Sequence, residues 1–131
     1  MGVNYLLDTH LLLWLLGEPA RVPHRVRLIL ADQSASLIVS AASAWEVATK
    51  TRLGKLNVLG LVESWAGHVE GLGAGQIAIE TADALLAGSI AWKHGDPFDR
   101  MLAAQAIRRD LALVTNDPAL VRLEGLRTLS W

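Results

Sequence analysis

Four acids in this chain each stand where a hydrophobic, strand-like run gives way to the start of a helix. Asp8 follows Val3-Asn4-Tyr5-Leu6-Leu7, and Glu46 comes shortly after Leu37-Ile38-Val39-Ser40. Asp99 opens the run Met101–Ile107, and Asp117 follows Leu111-Ala112-Leu113-Val114-Thr115. Near-continuous apolar runs suit strands covered on both faces. Their alternation with helical stretches predicts an α/β fold, with a central, mostly parallel sheet of about five strands flanked by helices on both faces. In such sheets the carboxyl ends of the strands line the crevice where ligands bind. Four carboxylates converging there repel one another unless a cation sits among them. The pattern therefore predicts a divalent-metal site and points towards phosphodiester hydrolysis.

The spacing predicts strands over Val3–Leu7, Ser36–Ser40, Gln76–Ile79, Leu111–Thr115 and about Arg127–Ser130. Helices are expected after the first strand through Leu16, ending at Gly17, and from Pro23 to about Asp32. Others run from Ala44 to about Leu53, capped by Ser43 and closed by Gly54, and around Leu61–Leu72. Thr81 caps a helix running to about Trp92, Asp99–Arg109 forms another, and Asp117-Pro118 opens a short last one. The Gly71–Gly75 segment follows a helix and precedes a strand, the reverse of a dinucleotide fingerprint, and reads as a flexible connector. With no repeat and no dividing linker, residues 1–131 are expected to form a single domain. The apolar stretch Tyr5–Leu16 is shorter than the roughly 20 residues that span a bilayer, and Asp8 and His10 interrupt it. No basic segment precedes it, so a soluble cytoplasmic protein is expected, with no membrane partner.

Cysteine is absent, which excludes disulfides, thiolate catalysis and Cys-based zinc sites. A net charge of −1 gives no global footprint for nucleic acid, so any such attraction must be local or metal-borne. Lys50, Arg52 and Lys55 form one local basic cluster, readable as a solvated helix end or as phosphate contacts.

Asp8 is read as a metal ligand, with helix capping as the simpler role. Glu46 is read as lying in the first turn of its helix, facing the same end of the sheet. The competing role for it is an exposed i,i+4 pair with Lys50. Asp96 takes the capping role and Asp99 the metal role. Asp117 is either a cap or an outer-sphere ligand that orients water. These hard oxygen ligands suit Mg²⁺ or Mn²⁺. His10 reads as a supporting or packing residue, and His94 as a substrate contact or a solvated side chain. Arg100 is expected to pair with the acids or to contact phosphate. The five tryptophans read as core or interface residues.

Together, Leu7-Asp8-Thr9-His10-Leu11-Leu12-Leu13-Trp14, Ser40–Lys50 with Trp45-Glu46, Gly54-Lys55-Leu56, His94–Ala106 with Asp96-Pro97-Phe98-Asp99-Arg100, and Leu113-Val114-Thr115-Asn116-Asp117 resemble the PIN-domain proteins. The similarity is in particular to the toxin ribonucleases of type II toxin–antitoxin pairs (the VapC type), and it covers essentially the whole chain. It implies a PIN fold and metal-dependent RNA cleavage. Asp8, Glu46 and Asp99 would form the acidic core, Asp117 would be the fourth acid, and Thr9 and Thr115 the small hydroxyl positions beside them. It also implies a homodimer and a cognate antitoxin that blocks the acidic pocket. Two other readings fit the same residues: a non-catalytic α/β binding module whose acids only cap helices, and a PIN-related DNA nuclease.

Overall fold

The computed structural model describes residues 2–131, and in it the alternating pattern closes into one parallel sheet. Five strands, β1 (Val3–Leu7), β2 (Ala35–Ser40), β3 (Ala74–Ile77), β4 (Ala112–Val114) and β5 (Thr128–Leu129), lie in the order β3-β2-β1-β4-β5. Every neighbouring pair is parallel. Seven helices connect them: α1 (Thr9–Gly17), α2 (His24–Ala31), α3 (Ala41–Arg52), α4 (Trp65–Gly71), α5 (Thr81–Ser89), α6 (Pro97–Arg109) and α7 (Pro118–Val121). None of these is long and apolar enough to cross a membrane.

Alternation of side chains along each strand splits the core into two layers. Leu6 pairs in register with Ile38 and Leu113, and all three belong to the layer packed against α6, where Leu102, Ala103 and Ala106 are buried. One residue further on, Leu7 pairs with Val114, and both belong to the opposite layer with Leu11, Leu12, Val26 and Val69. A one-residue slip of β1 would exchange the two layers, so the register is firmly specified.

β1 is the centre of the sheet, with β2 on one side and β4 on the other. The chain thus leaves β1 towards one edge and later returns to fill the other. This reversal opens a crevice at the carboxyl ends of β1 and β4.

Several expected boundaries move, each for a local reason. β2 runs without a loop into α3, so the cap is Ser40 rather than Ser43; the Ser40 hydroxyl accepts from Ala42 N–H at 2.9 Å. Ser43 instead lies inside the first turn, buried, with its hydroxyl 2.9 Å from that of Thr9. The cap of α5 is Glu80, one residue before Thr81, and its N–H donates to Asp83 Oδ2 at 2.8 Å. That helix stops at Ser89, short of Trp92. The stretch preceding Trp65 forms turns, with Gly60 at φ 77°. The glycine-rich segment is ordered structure: Gly73 turns the chain at φ 73°, and Ala74 and Gly75 already pair with β2.

Candidate metal centre

Asp8 is the first residue beyond β1, and its N–H continues the ladder by donating to Val114 O at 3.1 Å. It occupies the N-cap position of α1, yet its carboxylate does not cap. Oδ2 accepts instead from the Thr115 hydroxyl at 2.6 Å. The side chain is only 4% exposed. Burial raises its pKa above the ordinary carboxylate range; the Thr115 hydrogen bond and His10 oppose the shift, and nearby Glu46 reinforces it.

Glu46 lies in the second turn of α3 rather than the first, because that helix starts earlier than expected. It is 3% exposed and bonded to Lys50. The i,i+4 pair therefore forms, but with its carboxylate buried in the crevice. Lys50 keeps its proton more tightly than usual: burial disfavours the charge, and Glu46, Asp96 and Asp99 more than compensate.

Asp96 and Asp99 divide their roles cleanly. Asp96 Oδ1 accepts from the N–H groups of Phe98 at 2.9 Å and Asp99 at 3.0 Å, capping α6 with Pro97 in its first turn. Asp99 Oδ2 lies 2.7 Å from His94 Nε2. Burial lifts the Asp99 pKa to about 6, assisted by the charges of Asp96 and Asp8 and opposed by His94. Asp117 takes the capping role. Its Oδ1 caps α7 through Ala119 N–H at 2.9 Å, and it groups with His94 and Asp99 so that one ligand atom from each lies within 4.8 Å of the others. The Thr115 hydroxyl ties this corner together, donating to Asp8 and accepting from Asp117 N–H at 3.1 Å.

The sequence profile of the PIN domain matches residues 5–126 of this chain. The chain belongs to the PIN-domain family. Over 116 residues it is 32% identical to ribonuclease VapC22 of Mycobacterium tuberculosis, covering 86% of this chain and 85% of that protein. Among solved structures, DNA-bound VapBC from Salmonella typhimurium superposes with a TM-score of 0.72 at 22% identity, over 98% of each chain. A toxin–antitoxin complex from Klebsiella pneumoniae gives 0.64 at 15% identity, over 96% of each. These two likenesses establish the shared fold.

Among the described residues, the group whose ligand atoms lie within 4.8 Å of one another is His94, Asp99 and Asp117, a set suited to a divalent cation; Asp8 and Glu46 stand outside that group. Asp8 and Glu46 are almost wholly buried, Asp99 is largely so, and burial with neighbouring acidic charge raises the pKa values of the first and third, which His10 and His94 compensate only in part. A cation among them would supply the remainder. His94 is the member that sequence reasoning left open. The available signal was its position five residues before Asp99, in a turn short enough to fold the imidazole back onto the carboxylate.

Arg100 departs from expectation. It pairs with none of the acids and instead donates to the carbonyls of Ala87, Ile90 and Trp92, each at 2.8 Å, and His94 at 2.9 Å. Consecutive helical residues point about 100° apart, so Asp99 faces the crevice while Arg100 faces the α5–α6 connection. It acts as a clamp that holds the His94 loop to α6. Lysine cannot reproduce its planar fork. Arg100→Lys is therefore expected to cost about 2 kcal/mol, as part-buried carbonyls lose their donors, read as a lower denaturant midpoint. A midpoint unchanged from wild type would refute the clamp.

Asp96→Ala separates the two neighbouring acids. Losing the cap should cost about 1 kcal/mol, while metal affinity, measured calorimetrically, should change less than threefold. A tenfold loss of affinity would make Asp96 a ligand after all.

Proposed function

We propose that residues 1–131 act as a single PIN domain that hydrolyses RNA phosphodiester bonds with Mg²⁺ or Mn²⁺, as the toxin of a type II toxin–antitoxin pair. The observation that carries this reading is the buried carboxylate group at the switch point of the sheet, with burial raising the pKa of Asp8 and Asp99 and neighbouring acids adding to it, Glu46 for Asp8 and Asp96 and Asp8 for Asp99. Its similarity to a ribonuclease at 32% identity supports RNA as substrate. The toxin–antitoxin complex of the same fold supports an antitoxin as partner.

Asp8, Glu46 and Asp99 would hold the ion, and Asp117 would orient water at its edge. When bound, the ion supplies positive charge for the phosphate oxygens and makes water a stronger acid. The chain's own residues do the rest. Thr115 fixes the Asp8 carboxylate, and His94 fixes that of Asp99. Thr9 and Ser43 brace α1 against α3, keeping Asp8 and Glu46 at constant separation. The protein would work in the cytoplasm as a homodimer. Support for the dimer is Trp45, 52% exposed and edge-on to Phe98 at 4.6 Å, beside a shallow apolar depression against α5 and α6.

The test is cleavage of transfer, ribosomal and messenger RNA by antitoxin-free protein with Mn²⁺, Mg²⁺ or EDTA. An Asp8→Asn, Asp99→Asn double variant purified identically controls for contaminating ribonuclease. Metal-dependent cutting by wild type alone is expected. Cutting by neither, with no ion binding by calorimetry, would leave a binding module in place of the enzyme.

A further inference from the structure

Beside Glu46, α1, α3 and the segment that follows α3 line an open cavity of about 410 Å³, within the roughly 300–1,000 Å³ usual for small-ligand sites. Its lining is divided. Glu46, Lys50, Lys55 and His10 form a polar side, while Leu13 and Leu56 form part of an apolar wall. The end of α3 builds the polar side. Gly54 takes φ 74°, and the N–H groups of Lys55 and Leu56 turn back to Lys50 O at 2.9 and 3.2 Å. This αL closure folds the chain over the helix end and brings Lys55 and Leu56 onto the cavity. Lys50 is engaged by Glu46, whereas Lys55 makes no ion pair among the described residues. In a chain of net charge −1 this is a local cationic flank next to an anionic centre. That pairing suits a ligand whose charged backbone must approach the acids without being repelled.

We propose that this cavity is the subsite for the nucleotide flanking the scissile phosphate of a single-stranded RNA. The proposal deepens the ribonuclease reading and rests on it. The phosphate of that nucleotide contacts the Lys55 ammonium and the His10 ring N–H, and its ribose and base lie against Leu13 and Leu56. No tryptophan, tyrosine or phenylalanine lines the cavity, so the subsite grips backbone and sugar rather than reading a base by stacking. Removing Lys55 should therefore weaken binding equally across RNA sequences.

The experiment uses short fluorescent RNA 12-mers of several sequences. Affinity is measured by anisotropy over a salt series on the Asp99→Asn background, and kcat and KM on the otherwise wild-type enzyme. Lys55→Ala is expected to raise Kd and KM about five- to tenfold at low salt with kcat within twofold, and to reduce the log–log salt slope by about 0.7, the single-strand value per phosphate. Adding His10→Ala should raise Kd further. Gly54→Ala, strained at its positive φ, should follow Lys55→Ala in KM. Arg52→Ala, which removes an equal charge two residues from Lys50 but outside the cavity, should leave KM unchanged. Normal affinity and slope in the Lys55→Ala, His10→Ala double variant, with wild type still cutting, overturn the subsite alone. A weakening confined to one RNA sequence also overturns it, because that is base readout. Failure of wild type to bind or cut any RNA overturns the ribonuclease reading with it.

Discussion

Asparagine at position 99 is expected to lower RNA cleavage at least about 100-fold, roughly 3 kcal/mol of barrier, while making the metal-free protein more stable. The two effects share one cause. The Asp99 side chain is only 16% exposed and sits near two other acids, which lifts its pKa from 3.8 to about 6. Between about pH 4 and pH 6 the folded protein holds this proton and the unfolded chain does not. Stability therefore falls as pH rises through that window. A shift of about two pKa units corresponds to up to about 3 kcal/mol, all of it present as a penalty above pH 6. Asparagine keeps an oxygen for His94 and has no charge to bury, so the penalty disappears. The melting temperature at pH 7 should rise by several degrees, and the difference from wild type should vanish near pH 4. Mn²⁺ should reverse the order, stabilising wild type and leaving Asp99→Asn unmoved. A variant that melts below wild type at pH 7 without metal, or that retains a tenth of the cleavage, would remove Asp99 from the centre.

The same residues explain which parts of this molecule could be read from its sequence. The parallel sheet was legible because the apolar runs ending at Leu7, Ser40 and Val114 admit few other placements. Asp8, Glu46 and Asp117 each follow such a run, whereas Asp99, expected at the end of another, follows α5 and a loop and lies in the first turn of α6. Asp96 and Asp99 could be sorted because Pro97 fits the first turn of a helix, which makes Asp96 the cap. The remaining features depend on contacts far apart in sequence. Ser40 displaces Ser43 as a cap because β2 enters α3 directly, and Ser43 is then held by Thr9, 34 residues away. Arg100 reads from sequence as a partner of the acids or a phosphate contact because it adjoins Asp99. Its direction follows from helix rotation, and its partners lie on a loop whose path no local pattern specifies. His94 was ambiguous for the same reason, since only the folded turn brings it to Asp99. Local propensity thus located the acids, and tertiary packing decided what holds each one.

Alanine at Asp83 is expected to destabilise the protein by about 3 kcal/mol, near the lower end for breaking a buried ion pair. Asp83 is wholly buried, yet its carboxylate receives Arg108 and, at 2.7 Å, Arg109, both from the last turn of α6. It also accepts from Glu80 N–H at the start of α5. Gln105 and Arg109 extend the network to Ala78 O, at 3.2 and 3.0 Å. One side chain thus joins the beginning of α5 to the end of α6. Because α6 carries Asp99 in its first turn, about 15 Å away along a helix rising 1.5 Å per residue, this anchor fixes the far end of the element that positions the metal centre. Burial alone would raise the Asp83 pKa, but the bonds from Arg109, Glu80 N–H and Arg108 outweigh it and hold the group at about 2. Its stabilisation is complete above the unfolded value of 3.8 and is lost as pH falls towards 2, amounting to about 2 kcal/mol. Asp83→Asn keeps one acceptor without the charge, so its denaturant midpoint should decline less than that of wild type between pH 4 and pH 2. Equal acid slopes for wild type and Asp83→Asn, or an Asp83→Ala protein as stable as wild type at pH 7, would mean that the α5–α6 junction is held by its apolar contacts alone.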